Sequence, residues 1–263
     1  MRKIGINLHF LKSLSDFEAV ELLSAHGFCA TFSDTFDAER QVKIAELLAK
    51  KGISYDTLHA PFGHINDMWR EGEGGERMCA ELIACIDNCA LAGVPMAVVH
   101  LSSGVNAPQV NDIGIERFTR LVEYAEKRNV VIAFENQRKL TNISWALETF
   151  EQNEKVGFCW DCGHEGCFSP GREYMPLFSS QLVALHLHDN YAVFNDDRHM
   201  IPFDGTLDFE KIAERIRKSS YSGTLMLELF KKDGEPYGNM TADQYLDRAY
   251  AAALRLRKML DND

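Results

Sequence analysis

Short apolar runs alternate with longer amphipathic stretches along the whole chain. Eight runs rich in β-branched or aromatic residues read as strands: residues 4–8, 28–32, 54–58, 96–100, 130–134, 157–161, 182–188 and 224–229. Between them apolar residues recur three and four positions apart, over 16–26, 38–51, 75–92, 112–128, 143–152, 209–219 and 241–260. That is the spacing of helices with one buried face. The stretch after Cys162 shows no clear period. Gly27, Gly52, Gly93, Asn129 and Gly223 each stand just before a strand, where a helix end needs left-handed backbone.

Strand and helix in regular alternation predict a parallel sheet. Eight units in 263 residues leave about 33 residues per unit, near the size of a closed α/β barrel. No Pro/Ser-rich linker divides the chain, so the expectation is one (β/α)8 TIM-barrel domain over 1–263. A doubly wound open sheet is the alternative, but its first turn would be Gly-rich, and here it reads Asn7-Leu8-His9-Phe10. The one Gly-rich run, Glu71-Gly72-Glu73-Gly74-Gly75-Glu76, carries three glutamates and reads as a solvated loop opening a helix.

The C-terminal strand ends of such a barrel converge on one face. Six successive ends carry metal-ligand residue types: His59, His100, Glu135, Asp161 with His164, His186 with His188, and Glu228. Any one alone would read as a hydrogen-bonded structural residue; six in succession point to a shared site. Glu135 and Glu228 follow strongly apolar runs, where unpaired charge is costly to bury, and a divalent cation would neutralise them. Mixed imidazole and carboxylate donors suit zinc, manganese, cobalt or iron. His186 and His188 point to the same side of a strand, so spacing does not choose between them. His9 and His64, also near strand ends, read as satisfied structural residues, and His26 as a cation in the last turn of a helix.

Charge and cysteines narrow the field. With 28 basic and 39 acidic residues the net charge is −11, against a general footprint for nucleic acid or anionic lipid. Arg248, Arg255, Arg257 and Lys258 on the last helix read as a solvated face. The N-terminus lacks the apolar core of a signal peptide, and no stretch of about 18 apolar residues occurs, so a soluble, cytoplasmic protein is expected. Seven cysteines, an odd number, fit free thiols. Cys159, Cys162 and Cys167 lack the fourth ligand of a structural zinc site and read as packed thiols, with Cys162 near the site.

The strand-end segments resemble the xylose-isomerase-like barrels, a superfamily of sugar phosphate isomerases and epimerases that also contains endonuclease IV. The resemblance rests on Phe134-Glu135-Asn136, Asp161-Cys162-Gly163-His164, His186-Leu187-His188-Asp189-Asn190 and Asp197-Arg198-His199, followed by Pro202-Phe203-Asp204-Gly205-Thr206-Leu207-Asp208-Phe209. Relatives usually read Gly-Glu-Gly where this chain has Phe203-Asp204-Gly205. The epimerase branch implies one metal on Glu135, Asp161, His186 and Glu228, with His164 close to substrate. The endonuclease branch implies three metals, adding His59, His100, His164, Asp197 and His199. All nine residue types are present, so one to three ions are expected.

The resemblance also favours His186 over His188 as ligand and implies a divalent-metal-dependent isomerase or epimerase of a sugar, sugar phosphate or related polyol or keto acid. Glu135 and Glu228 would transfer the proton and His164 would hold a substrate oxygen. The alternative is a metal-dependent phosphodiesterase acting on abasic DNA. Against it, the first two strand-end loops carry no basic and aromatic cluster suited to gripping a duplex. The expected partner is a small sugar or sugar phosphate, not nucleic acid or membrane; a homo-oligomer stays open. A non-catalytic sugar-binding barrel is a third reading, disfavoured by the complete carboxylate set.

Overall fold

The computed structural model describes residues 1–234 and 236–261; Glu235 and the last two residues of the expected 1–263 span lie outside the described residues. Eight strands, β1 (Ile4–Asn7), β2 (Ala30–Ser33), β3 (Ser54–His59), β4 (Met96–His100), β5 (Val131–Glu135), β6 (Val156–Asp161), β7 (Leu182–His186) and β8 (Leu225–Leu227), pair in parallel with their sequence neighbours. β8 also pairs with β1. The last gap, between β7 and β8, is closed by Leu187: its N–H donates to Met226 O at 2.9 Å, and it accepts from Glu228 N–H at 3.2 Å. The result is the expected eight-stranded α/β barrel.

The helices are α1 (Asp16–Ala25), α2 (Ala38–Lys51), α3 (Glu73–Ala92), α4 (Asp112–Arg128), α5 (Leu140–Thr149), α6 (Cys162–Phe168), α7 (Met175–Phe178), α8 (Phe209–Lys218) and α9 (Ala242–Asp261). Short polar side chains start them. Ser15 and Glu18 form a reciprocal capping box, and Asp37, Asn111, Asp161 and Asp208 each accept the backbone N–H three residues on. The short helices α6 and α7 fill the aperiodic stretch after Cys162. Gly72, at φ 99°, precedes α3, so the Gly-rich run does open a helix.

Gly27, Gly52, Gly93 and Asn129 adopt the expected left-handed backbone, but Gly223 does not. α8 ends in an extended Ser219, and Gly223 is instead where the Tyr221 ring crosses the chain: a Cβ there would lie 2.6 Å from Tyr221 Cζ. β2 begins two residues later than its apolar run, because Phe28 N–H is still bonded to Leu23 O at the end of α1.

Register sets which residues meet at the upper rim. β4 pairs with β5 so that His100 faces Glu135. Between β6 and β7 the register slips by one residue after Phe158. Without that slip Asp161 would oppose Leu185; with it, Asp161 opposes His186. Small and medium side chains, Val98, Ala133, Cys159 and Ala184, fill the barrel beneath, with Ala30, Phe32 and Met226 on the other side.

Outside the barrel, the loop after β3 is fastened by buried Arg117 of α4. Its guanidinium donates to the carbonyls of Asp67, Met68 and Arg70 and to Glu76. Trp69 of the same loop donates to Leu101 O at 2.6 Å and packs between Phe118 and Trp145. α4 approaches this ring so closely that a Cβ on Gly114 would lie 1.9 Å from Trp69 Cε3. Gly114→Ala is therefore expected to cost about 1–3 kcal/mol by overpacking, measured as a lowered urea midpoint; an unchanged midpoint would show that α4 and Trp69 are not in this contact.

Candidate active site

All nine residues singled out in the sequence meet at the barrel's C-terminal rim, in adjoining groups whose donor atoms lie within 4.8 Å of one another. Glu135, Asp161, His186 and Glu228 form one buried set. His59 and His100 form a second with Glu135, which the two share. His164, Asp197 and His199 form a third, joined by His188. His186 therefore stands with the carboxylates of the first set, while His188 bridges outward, 3.0 Å from Asp161 and stacked on His199 at 4.1 Å. Cys159 also falls within reach of Glu135 and His186. Burial and the nearby carboxylates push its thiol well above the ordinary value, so a neutral sulfur floors the site. All seven cysteines are free, and Cys162 donates to His188 O at 3.4 Å.

Glu135 is the centre of charge. Its Oε1 lies 2.5 Å from His186 Nδ1, its Oε2 accepts from His100 Nε2, and His59 Nε2 stands 3.6 Å away. Burial alone would raise its pKa, but the imidazoles of His186 and His100 hold it well below the usual carboxylate range. Glu228 is lowered in the same way by His186, and Asp197 by His164 and His199. The histidines answer in kind. Against burial, which lowers them, Asp161 and Asp197 lift His164 to about 10 and His188 to about 9, and Glu228 and Glu135 lift His186 well above 6.5. His100 goes the other way, lowered by burial.

The donor set fits divalent cations. Four carboxylates converge with almost no exposure to water except at Asp197. Glu228 Oε2 and Asp197 Oδ1 are buried without a hydrogen bond, as are Nδ1 of His100 and His188. Orphaned carboxylate oxygens beside imidazoles are what a metal site presents when its charge is balanced by protons.

The surrounding segments fix these groups. The Asn136 side chain donates to Asp161 O and accepts Asp161 N–H, both at 2.8 Å, locking β5 to β6. Asp161 in turn accepts His164 N–H at 2.6 Å. Gly163 leaves room for His188, whose Cε1 would lie 1.9 Å from a Cβ there. Asp189 is no ligand: it accepts the N–H groups of Asn190, Gly205 and Leu207, pinning the Phe203-Asp204-Gly205 turn beneath the rim. Asp204 points away from the site to Arg248 and the Tyr237 hydroxyl, and Arg255 lies 3.8 Å over Phe203. The basic residues of the last helix are thus not simply a solvated face, because two of them clamp this turn.

His26 pairs with Asp243 and Asp247 of α9. His64 is exposed and apart from the site. His9 is satisfied by Asp34 at 2.8 Å and Asp16 at 3.1 Å, and it also walls the cavity over the donor groups.

That cavity, about 300 Å³, is lined by aromatic and amide side chains as well as by candidate donors. Phe32 stacks on His186 and Phe168 on His164, while Phe62 and Phe230 pack against His100 and His199. Gln137 bridges His100 and His164, its Nε2 lying 3.3 and 3.0 Å from their ring nitrogens. Their common signal is position, each standing at or just beyond a strand end, or, for Phe168, at the end of α6.

A family model described as xylose isomerase-like TIM barrel matches residues 8–256. An uncharacterized protein of Sinorhizobium fredii is 29% identical over 188 residues, 66% of this chain and 58% of that protein. One of Methanocaldococcus jannaschii is 23% identical over 193 residues, 65% of this chain and 63% of its own. The matches thus span less than two thirds of those relatives. Among solved structures, D-psicose 3-epimerase from Clostridium cellulolyticum H10, determined with D-tagatose, has a TM-score of 0.77 at 15% identity, over 98% of this chain and 99% of that one. The IolI protein with a bound zinc atom scores 0.78 at 19% identity, over 97% of each chain. The 3-keto-D-glucoside 4-epimerase of E. coli scores 0.73 at 16% identity, over 98% of this chain and 100% of that one. At these identities the likeness is one of fold.

Two expectations follow. Loading the metal-free protein with Zn²⁺ or Mn²⁺ at neutral pH should release protons from the raised histidines, seen as a binding heat that depends on the buffer's ionisation enthalpy. Glu228→Gln should lower bound metal about tenfold or more while melting stays cooperative; buffer-independent heat, or unchanged metal content, would contradict the assignment.

His9 supplies a pH test away from the donor groups. Burial lowers its pKa, but the bonds to Asp34 and Asp16 outweigh that and raise it above 6.5. Its stabilisation is therefore complete below pH 6.5 and lost as pH rises through the raised folded value. His9→Gln should lower the urea midpoint more at pH 6 than at pH 9, and an equal loss at both would show that the pairing is not ionic.

Proposed function

The chain belongs to the xylose isomerase-like TIM barrel family, and from that premise we propose that it is a divalent-metal-dependent isomerase or epimerase of a sugar, sugar phosphate or related polyol or keto acid. The observation that carries this reading is the convergence of Glu135, Asp161, His186 and Glu228 in one buried set, of which Glu228 lines the cavity, with Glu228 Oε2 beside His186 but making no hydrogen bond. Solved structures of the same fold that are named as sugar epimerases lend it support.

A zinc, manganese, cobalt or iron ion on these four residues would supply the positive charge that acidifies the C–H beside a substrate carbonyl. Glu135 and Glu228 stand on strands across the barrel, and their depressed pKa values keep both ionised at neutral pH, so each is ready to act as base. One carboxylate takes the proton and the C–H electron pair moves into the enediolate; the carboxyl so formed returns a proton to the neighbouring carbon, or gives it up to solvent while the other glutamate, first protonated from solvent, delivers one to the opposite face. His164, raised to about 10, is a donor for a substrate oxygen. The ring of Phe32, Phe62, Phe168 and Phe230 keeps water from the imidazoles.

A second reading, metal-dependent phosphodiester hydrolysis on abasic DNA, is favoured by one observation. Glu135 is shared between two donor sets and His188 joins a third to Asp161, so the rim has donors for as many as three ions. Weighing against it, one of the two basic side chains in the groove beside the cavity, Arg40, is engaged by Asp16.

Incubating the metal-loaded protein with ketoses in D₂O is expected to place deuterium on the carbon beside the carbonyl, read by NMR. Isomerisation without deuterium would reject the glutamate roles. Cleavage of an abasic duplex with no change in any sugar would reject the isomerase, and His59, His100, Asp197 and His199 should then each prove necessary.

A further inference from the structure

The cavity contains one Lys or Arg among the described residues, Arg138, which feels the charge of Asp197 but forms no ion pair with it. Its Nε donates to the neutral Asn195 Oδ1 at 2.7 Å, and its Cζ lies 3.5 Å from the Phe168 ring centroid. Among the described residues no hydrogen bond is made to its two terminal nitrogens and no carboxylate pairs with it. The neighbouring acid, Asp197, is engaged by His164 and His199. Other arginines on this chain are paired with acids: Arg40 with Asp16, Arg198 with Asp196, Arg248 with Asp204.

Arg138 is partly withdrawn from water, and desolvation lowers its pKa. A guanidinium held in place by a neutral partner and an aromatic face, with its fork left open into a cavity, is arranged for a planar or tetrahedral anion. Phe168 also stacks on His164 at 4.6 Å, so one ring lies against both the rim histidine and the cation. The acids of the rim would repel an anion; a divalent ion held by Glu135, Asp161, His186 and Glu228 would offset two of the three carboxylate charges there, and Asp197 is paired with His164 and His199.

We infer that the cavity takes a substrate with an anionic terminus, a phosphate monoester or a carboxylate, whose charged end is bound by Arg138 while its carbonyl end faces Glu135 and Glu228. This rests on the proposed isomerase or epimerase reading and makes Arg138 the residue that sets specificity within it. Asn195, held at φ 62° on the loop that carries Asp197 and His199, positions the guanidinium.

The test uses the manganese-loaded protein and three related probes: D-tagatose, D-tagatose 6-phosphate and D-tagaturonate. Calorimetric affinity and turnover are measured for each. At least one anion should bind about tenfold or more tightly than D-tagatose, as one charge-assisted pair would give. Which anion gains identifies the group. Arg138→Gln should collapse the ratio of anion to neutral affinity toward one. Arg138→Lys, which keeps a point charge and loses the fork, should retain part of it, and both variants are checked for an unchanged thermal midpoint. Equal affinity of the wild type for all three, or an equal loss for all three in Arg138→Gln, overturns the anion site. An Arg138-dependent preference without turnover of any probe leaves the anion site standing and rejects the isomerase reading; turnover of D-tagatose as efficient as that of both anions does the reverse.

Discussion

A carboxylate removed from water must meet positive charge at contact distance, and the upper rim of this barrel is organised by that requirement. Glu135 is almost completely buried and is contacted by imidazoles from β4 and β7, with a third from β3 nearby. Asp161 and Glu228 repeat the pattern with His188 and His186. Each pair is costly to dehydrate and its members are worth little apart, so the histidines and acids act as one charge lattice. In the protein alone protons balance that lattice, and cations can take their place.

The strands serve this lattice through register. Alternation of side chains puts His100 and Glu135 in one layer without adjustment, whereas Asp161 and His186 meet because β6 and β7 slip by one residue. The outer loops serve it through backbone pinning. Asp189 holds the N–H groups of Gly205 and Leu207 in the turn, and Arg117 holds the loop after β3. Neither residue touches the cavity, yet each fixes a segment from which the site is built.

Much of this was legible in the chain. α2, α4 and β4 begin and end where the pattern placed them, since a capping Asp or Asn and a left-handed Gly or Asn mark the helix ends. The candidate donors were legible because the fold sends strand ends to one place. Other features have no local signature. The register slip leaves no mark in composition, and the start of β2 depends on how Phe28 bonds back to α1. The cysteine Cys159 reads as core until β6 turns it toward Glu135. Gln137 and Arg138 look like ordinary loop residues after a strand, and the four phenylalanines look like core; their roles come from which histidine each one meets. Asp204, a departure from the usual turn, gains its meaning from Tyr237 and from Arg248 on a helix 44 residues later.

The seam between β7 and β8 has a mechanical reading. Among the described residues the two strands are joined by backbone pairing at Leu187 alone, the thinnest join in a ring whose other joins run over two to five paired residues. His186 lies on one side of that join and Glu228 on the other, 3.2 Å apart. Whatever draws this pair together, a shared proton or a shared cation, is a clasp on the barrel itself. Filling the site and tightening the hoop are then the same event, and the pair that gathers charge at the rim also keeps the ring from springing open.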